Sequence, residues 1–196
     1  MAILKKKSAA SYHPMPRKNG RGITREILRF PENSDNFDFR LSIAEVSQPG
    51  DFSFFNGYHR VLSILNGEGI SLLIENERTK TLKKQEIFNF SGDLSIYSNL
   101  LDGPVTDFNL IYNPEKFDIR FQWLETGKNS NTILTSALHT FIFSNKNLCK
   151  VIVNKIEKEL NPEDTLWITK EENDRGNDIS ITATEEVIIA ELWEKA

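Results

Sequence analysis

The sequence predicts an all-β protein built as a sandwich or barrel, and three observations carry that reading. Short apolar runs alternate with polar residues at period two, and turn signals separate them at intervals of about 8–12 residues. From residue 1 to 112 no stretch of about ten residues holds a helical period. The chain also has 13 Phe among 196 residues and a hydrophobic fraction of 39%, enough to build a sizeable core without disulfide or metal staples.

In order along the chain, residues 1–16 are rich in Lys, Ser and Ala and end in His13-Pro14-Met15-Pro16. Proline fixes its own φ and biases its predecessor toward extended backbone, so an extended lead-in is expected. Lys18-Asn19-Gly20-Arg21-Gly22 is turn chemistry leading into a strand over 24–30, and 31–37 is a polar loop. Residues 39–46 form the next strand, with Arg40, Ser42, Ala44 and Val46 on one face and Phe39, Leu41, Ile43 and Glu45 on the other. Pro49-Gly50 turns the chain into residues 51–73, which read as strand, turn, strand, turn, strand. Phe52 and Phe54 alternate with Ser53 and Phe55, Asn56-Gly57 reverses the chain, 60–65 follows, and Asn66-Gly67-Glu68-Gly69 opens the strand 70–74. After a charged tip at 75–79, short strands are expected at 81–82, 85–90 and 94–100, and Asp102-Gly103-Pro104 leads into a strand over 105–112.

Asn113-Pro114 marks a joint. The expected organisation is a lead-in over 1–17, a first β unit over 18–114 and a second over 115–196. The second unit keeps the rhythm, with strands at 117–123, 133–134, 138–143, 148–153, 165–168, 179–182 and 187–193. Residues 155–160 and 185–194 also fit a helix, since Ile152, Ile156 and Leu160 are spaced four apart; for the last segment the β-branched run Val187-Ile188-Ile189 favours a strand.

Charge and composition exclude several functions. With 24 Lys and Arg against 28 Asp and Glu, the net charge of -4 offers no field to draw nucleic acid or an anionic membrane. The single Cys, Cys149, rules out an intramolecular disulfide and a Cys-based zinc site, and its apolar surroundings at 148–153 predict a buried thiol. The N-terminal apolar run is too short for a signal peptide and nothing approaches a transmembrane span, so a soluble, cytoplasmic protein in a reducing compartment is expected. His13, His59 and His139 are scattered without metal-ligand spacing. No metal or cofactor is therefore expected, and His59 reads as a loop residue. There is no G-x-S-x-G elbow, and Gly67-Glu68-Gly69 lacks the helix and third glycine of a phosphate loop.

Arg60 is the oddity, a cation opening a strand that is apolar almost throughout. Arginine has five donors and is not neutralised in proteins. Its head therefore either reaches water at the strand mouth or sits in a barrel that awaits a carboxylate. Arg40 stands beside the small Ser42 and Ala44, Thr24 and Glu26 share a face with Arg25 opposite, and Asp107 and Asn109 project from an apolar strand. One account of these residues is a sheet surface or an internal salt bridge such as Arg40 with Asp107. The other is that Arg40, Arg60, Thr24, Asp107 and Asn109 point into one barrel, where an anionic small molecule makes up a shortage of negative charge. An enzymatic alternative, a metal-free isomerase or hydrolase, would use Glu26 or Asp107 as general base; two nearby arginines would depress the pKa of such a base. A third alternative gives residues 115–196 a structural or protein-binding role.

The motifs themselves are familiar. Lys18-Asn19-Gly20-Arg21-Gly22-Ile23-Thr24-Arg25-Glu26 resembles the N-G-G-G-x-T-R-E opening of the HutD/Ves family, with Arg21 where a Gly is usual. Phe39-Arg40-Leu41-Ser42-Ile43-Ala44 resembles its W-R-x-S-I-A, with Phe39 in place of Trp. Gly50-Asp51-Phe52-Ser53-x-Phe55-x-Gly57, Arg60, Leu65-x-Gly67-x-Gly69, Phe90-x-Gly92-Asp93 and Gly103-Pro104-x-x-Asp107-Phe108-Asn109 follow in family order, so the likeness covers residues 18–109. The resemblance implies a cupin-like (RmlC-like) jelly roll, two β-barrel units in one chain without the usual metal motif. It further implies an auxiliary or regulatory role in histidine utilisation, with a small, formylglutamate-like carboxylate as ligand. It singles out Asn19, Thr24, Arg40, Arg60, Asp107 and Asn109 as ligand-binding positions.

Overall fold

The structure is a computed structural model and describes residues 2–16, 22–32, 34, 36–125, 130–171, 174–184 and 186–196. In chain order the strands are β1 (Ile3–Lys7), β2 (His13–Pro16), β3 (Ile23–Phe30), β4 (Phe39–Val46), β5 (Gly50–Asp51), β6 (His59–Asn66), β7 (Ile70–Ile74), β8 (Arg78–Leu82), β9 (Ile87–Ser91), β10 (Ile96–Leu100) and β11 (Val105–Tyr112). They continue as β12 (Phe117–Leu124), β13 (Asn131–Thr135), β14 (His139–Ser144), β15 (Cys149–Val153), β16 (Ile156–Leu160), β17 (Thr165–Thr169), β18 (Asn177–Ala183) and β19 (Val187–Glu194). Among the described residues the only helical element is a 3₁₀ turn at Ala9–Ser11, and no helix is long and apolar enough to cross a membrane. The chain divides into a first unit, Tyr12–Glu115, and a second unit formed by Met1–Ser11 with Lys116–Ala196.

In the first unit a six-stranded sheet, β2-β3-β4-β11-β6-β9, faces a four-stranded one, β5-β10-β7-β8. Alternation decides what lies between them. Val46, Leu62, Ile64, Phe90 and Val105 from the larger sheet join Ile70, Leu72, Ile74, Leu82 and Ile96 from the smaller in one core. The opposite face of the larger sheet is buried as well, through Phe39, Leu41, Ile43, Val61, Phe108 and Leu110. Strands buried on both faces read as nearly unbroken apolar runs, so the polar residues within β4, β6 and β11 stand out. The turn into β7 depends on Gly69, which has φ +116°; a Cβ there would lie 2.4 Å from the Leu82 carbonyl oxygen.

Two expectations for this unit are revised. Residues 52–55 do not form a strand: only Gly50–Asp51 pairs with β10, and the following residues fold as a loop. His59 is not a loop residue either. It opens β6, with its ring edge-on to Tyr112 at 5.9 Å.

In the second unit the sheets are β1-β17-β14-β19-β12 and β13-β18-β15-β16. Ile142, Val151, Val153, Leu166, Ile168, Ile179, Ile181, Val187 and Ile189 form their shared core. Cys149 belongs to it, and burial pushes its thiol pKa up to about 12. Residues 156–160 are a strand rather than a helix. Asn154 and Lys155 both have positive φ, 48° and 73°, the conformation of a tight two-residue hairpin turn, and β16 pairs back on β15.

The start of the chain also departs from a free lead-in. Residues Ile3–Lys7 pair with β17, and partly buried Leu4 packs against the core of this unit. Asp164 fastens the segment, accepting from Lys6 Nζ at 2.8 Å and from the Ala9 amide at 3.0 Å. Burial would raise the Asp164 pKa, but these bonds, with one from the Asn161 amide, lower it overall.

His139 makes the second unit sensitive to acid. Its ring is buried at 4% exposure, and the Trp167 indole N–H donates to Nδ1 at 3.3 Å. Burial pushes the pKa down from 6.5 to about 4. Because the folded value is the lower one, the stability involved is present above about pH 6.5 and is lost as pH falls toward 4. The limit is about 3 kcal/mol. Denaturant melts of the wild type should therefore weaken between pH 6.5 and 4.5, and those of His139→Gln should be flatter over that range; equal slopes would refute this assignment.

Candidate functional site

The strand register gathers the polar residues of the first unit on one face of its larger sheet. Arg60, Ile111 and Arg40 stand side by side across β6, β11 and β4; Leu62, Asn109 and Ser42 form the next row, and Ile64, Asp107 and Ala44 the one after. Leu62 and Ile64 belong to the core between the sheets, so this face points inward. On β3, Glu26 lies beside Ser42 and half-buried Thr24 beside Ala44. The register shifts between Glu26 and Leu28 and places Arg29 beside Arg40. An extra residue in one strand resets the alternation, which lets Glu26 and Arg29 meet although they are three positions apart.

Arg60 is 7% exposed, so its head does not reach bulk water at the strand mouth. Nη2 donates to Asn109 Oδ1 at 2.8 Å and Nη1 to the Ser53 carbonyl at 3.1 Å. Asn109 Nδ2 in turn donates to Asp107 Oδ1. Around the guanidinium carbon are the rings of Phe52, Phe55 and Phe90, at 5.2, 5.4 and 5.1 Å. Aromatic faces at such distances attract a desolvated cation.

The loop that supplies two of these rings is itself held by the glycine and aspartate after β9. The Phe55 amide donates to the Gly92 carbonyl at 2.9 Å, the Gly92 amide to the Tyr58 carbonyl at 2.7 Å, and the Gly57 amide to Asp93 Oδ1 at 3.1 Å. A Cβ on Gly92 would lie 2.4 Å from the Phe55 carbonyl oxygen, so only glycine permits this approach.

Arg40 is held differently. Its Nε lies 2.6 Å from Glu26 Oε2, close enough for an ion pair although the N–H direction is not aligned for a hydrogen bond. Among the described residues Nη2 reaches only the Met15 thioether, 4.0 Å away, and sulfur of this kind is a weak acceptor. The guanidinium carbon is 6.0 Å from the Phe55 ring, so one phenyl group is shared by Arg40 and Arg60. Glu26 also accepts from Arg29 Nε and Nη2, both at 2.7 Å. Burial would raise the Glu26 pKa, but the Arg29 hydrogen bonds and the charges of Arg40 and Arg29 lower it overall. Burial lowers the Arg40 pKa, and Glu26 opposes that.

An internal Arg40–Asp107 salt bridge, one of the two accounts suggested by the strand faces, is replaced by Arg40–Glu26. Among the described residues on this face, the guanidinium groups of Arg29, Arg40 and Arg60 stand against the carboxylates of Glu26 and Asp107. Asn19 lies outside the described residues, as does Arg21. Sequence reasoning did not place Met15, Arg29 or the three phenyl groups in the site, although Phe52, Phe55 and Phe90 were present in the motifs. Among the described residues no group of three or more His, Cys, Asp or Glu could hold a metal ion.

Comparison with known proteins adds lineage to this geometry. The family model HutD matches residues 9–189. The chain is 38% identical over 145 residues to an uncharacterized 21.2 kDa protein in the hutC 3′ region of Pseudomonas putida, a match covering 74% of this chain and 75% of that one. It is 39% identical over 95 residues to protein Ves of Citrobacter koseri, spanning 48% of this chain and 50% of Ves. The structure of HutD from Pseudomonas fluorescens SBW25 superposes with a TM-score of 0.85 at 33% identity, covering 99% of this chain and 100% of that one. YlbA of Escherichia coli, at 11% identity and a TM-score of 0.71, shares the fold alone.

Proposed function

The chain belongs to the HutD family and has its cupin-like all-β fold, and from that premise we propose that the first unit binds a small carboxylate metabolite. The observation that carries this reading is Arg40, buried at 8% exposure, whose Nη2 meets only a thioether among the described residues. A carboxylate offers that edge charge-assisted hydrogen bonds, each contributing about 1.5–3 kcal/mol. The excess of guanidinium over carboxylate groups on the same face favours an anion, and Phe55, 6.0 Å from the Arg40 guanidinium carbon, supplies an apolar wall for its carbon skeleton. The names of the P. fluorescens and P. putida relatives support an association with histidine utilisation; an auxiliary or regulatory role and a formylglutamate-like ligand complete the proposal. Glu26, held below the ordinary carboxylate range by two arginines, is a weak base, which favours binding over general-base catalysis.

Thermal shift and calorimetric titration with formylglutamate, urocanate and glutamate test the proposal. A ligand supplied at about 100 times its dissociation constant should stabilise the protein by about 2.7 kcal/mol. Replacing the carboxylates by amides should abolish the shift. A protein indifferent to all three acids would refute the proposal.

A further inference from the structure

The two central arginines are held in unlike ways, and we infer that Arg40 is the ligand's anion anchor whereas Arg60 is a positioning residue that shapes the pocket wall. This inference rests on the carboxylate-binding reading above and assigns the parts within it. Arg60 uses Nη1 and Nη2 on Ser53 and Asn109, and three phenyl rings surround its guanidinium carbon. A ligand oxygen approaching it would have to displace bonds that hold the 52–58 loop. Arg40 presents its Nη2 to Met15 Sδ at 4.0 Å, the weakest acceptor in the cluster, so an anion arriving there gives up almost nothing. Glu26 lies against the Nε of Arg40 and leaves Nη2 to the ligand. The position of the Met15 thioether therefore marks where a carboxylate oxygen sits. Met15 lies on β2, in register with Thr24, which places the Thr24 hydroxyl at the margin of the same subsite.

The assignment has a consequence that a purely structural Arg40 would not share. Glu has nearly the reach of Met, so Met15→Glu would place a tethered carboxylate on Arg40 and occupy the anchor from within. With formylglutamate as probe, calorimetry at pH 7 should show affinity reduced about tenfold or more in Met15→Glu. The neutral Met15→Gln should stay within about threefold of wild type. In NMR spectra of side-chain Nε–Hε groups, the Arg40 signal should move on titration while that of Arg60 holds its position. Should Met15→Glu fail to fold, Arg40→Lys keeps the charge but loses the planar fork, and it should weaken binding about tenfold with little change in melting temperature. Wild-type affinity in folded Met15→Glu, or movement of the Arg60 signal in place of Arg40, would overturn the assignment while leaving carboxylate binding intact. Absence of binding by the wild type to every acid tested would instead remove the underlying reading and the assignment together.

Discussion

Glu26→Gln is expected to cost the first unit about 3–5 kcal/mol, because it leaves a buried arginine without its anion. Glu26 is 9% exposed and serves two guanidinium groups, Arg29 through two hydrogen bonds and Arg40 through an ion pair. The amide keeps the shape but has one acceptor oxygen and no charge. The effect should depend on pH in a defined sense. The folded carboxyl pKa lies below the ordinary value of 4.5, so Glu26 contributes its stability above pH 4.5. That contribution is lost as pH falls through the folded value, where the wild-type carboxylate becomes protonated too. Chemical denaturation of both proteins at pH 7 and at successive values below 4.5 should show the gap closing with acidity. Equal stability at pH 7 would mean that Arg40 does not need Glu26.

Arg60→Met is expected to destabilise the protein by about 2–4 kcal/mol and to weaken carboxylate binding about ten- to a hundredfold. Considered as one cation on an apolar strand, Arg60 should be replaceable at little cost, since Met keeps an unbranched apolar stem and removes a buried charge. The observed network reverses that expectation. Substitution takes a donor from Asn109 Oδ1 and another from the Ser53 carbonyl, and Asp107 loses the cation linked to it through Asn109. Stranded buried acceptors cost about 1–3 kcal/mol each. Loss of binding should come with faster hydrogen exchange at the Phe55 amide, which is bonded to the Gly92 carbonyl, because Arg60 acts through the loop. A stable Arg60→Met protein with wild-type affinity and exchange would remove Arg60 from any role in the site.

Much of this fold was legible because period-two alternation is a local property. The bounds inferred for β4, β7 and β11 coincide with those observed, and parity within single strands grouped Arg40 with Ser42 and Asp107 with Asn109, whereas which face points inward was left open between two accounts. What local pattern could not supply was pairing. Glu26 rather than Asp107 meets Arg40 because of the register between β3 and β4, and Arg29 joins them through the shift after Glu26. Neither feature leaves a compositional mark. Residues 52–55 alternate as a strand would, yet Phe52 turns into the core beside Phe90 and the strand pairing with β10 covers only Gly50–Asp51, followed by one bond from the Phe52 amide to the Ile96 carbonyl. At 156–160 the fourfold spacing of aliphatic residues competed with a strand pattern, and the turn at Asn154 and Lys155 decided between them.

The clasp between β1 and Asp164 has a consequence for synthesis on the ribosome. The first unit is one uninterrupted segment, Tyr12–Glu115, whereas the second needs residues from both parts of the chain. Ala9 and Asp164 are 155 positions apart, so β1 emerges early and waits without its partner while the whole first unit is made. A waiting strand is open to capture by the sheet edge of another nascent chain. Lys5, Lys6 and Lys7 place successive positive charges on this one, and charged edges discourage such capture. In the folded chain Lys6 is employed on Asp164 and Lys5 over the Trp167 ring at 5.1 Å. The same charges that protect the unfinished polypeptide thus help to secure the finished one.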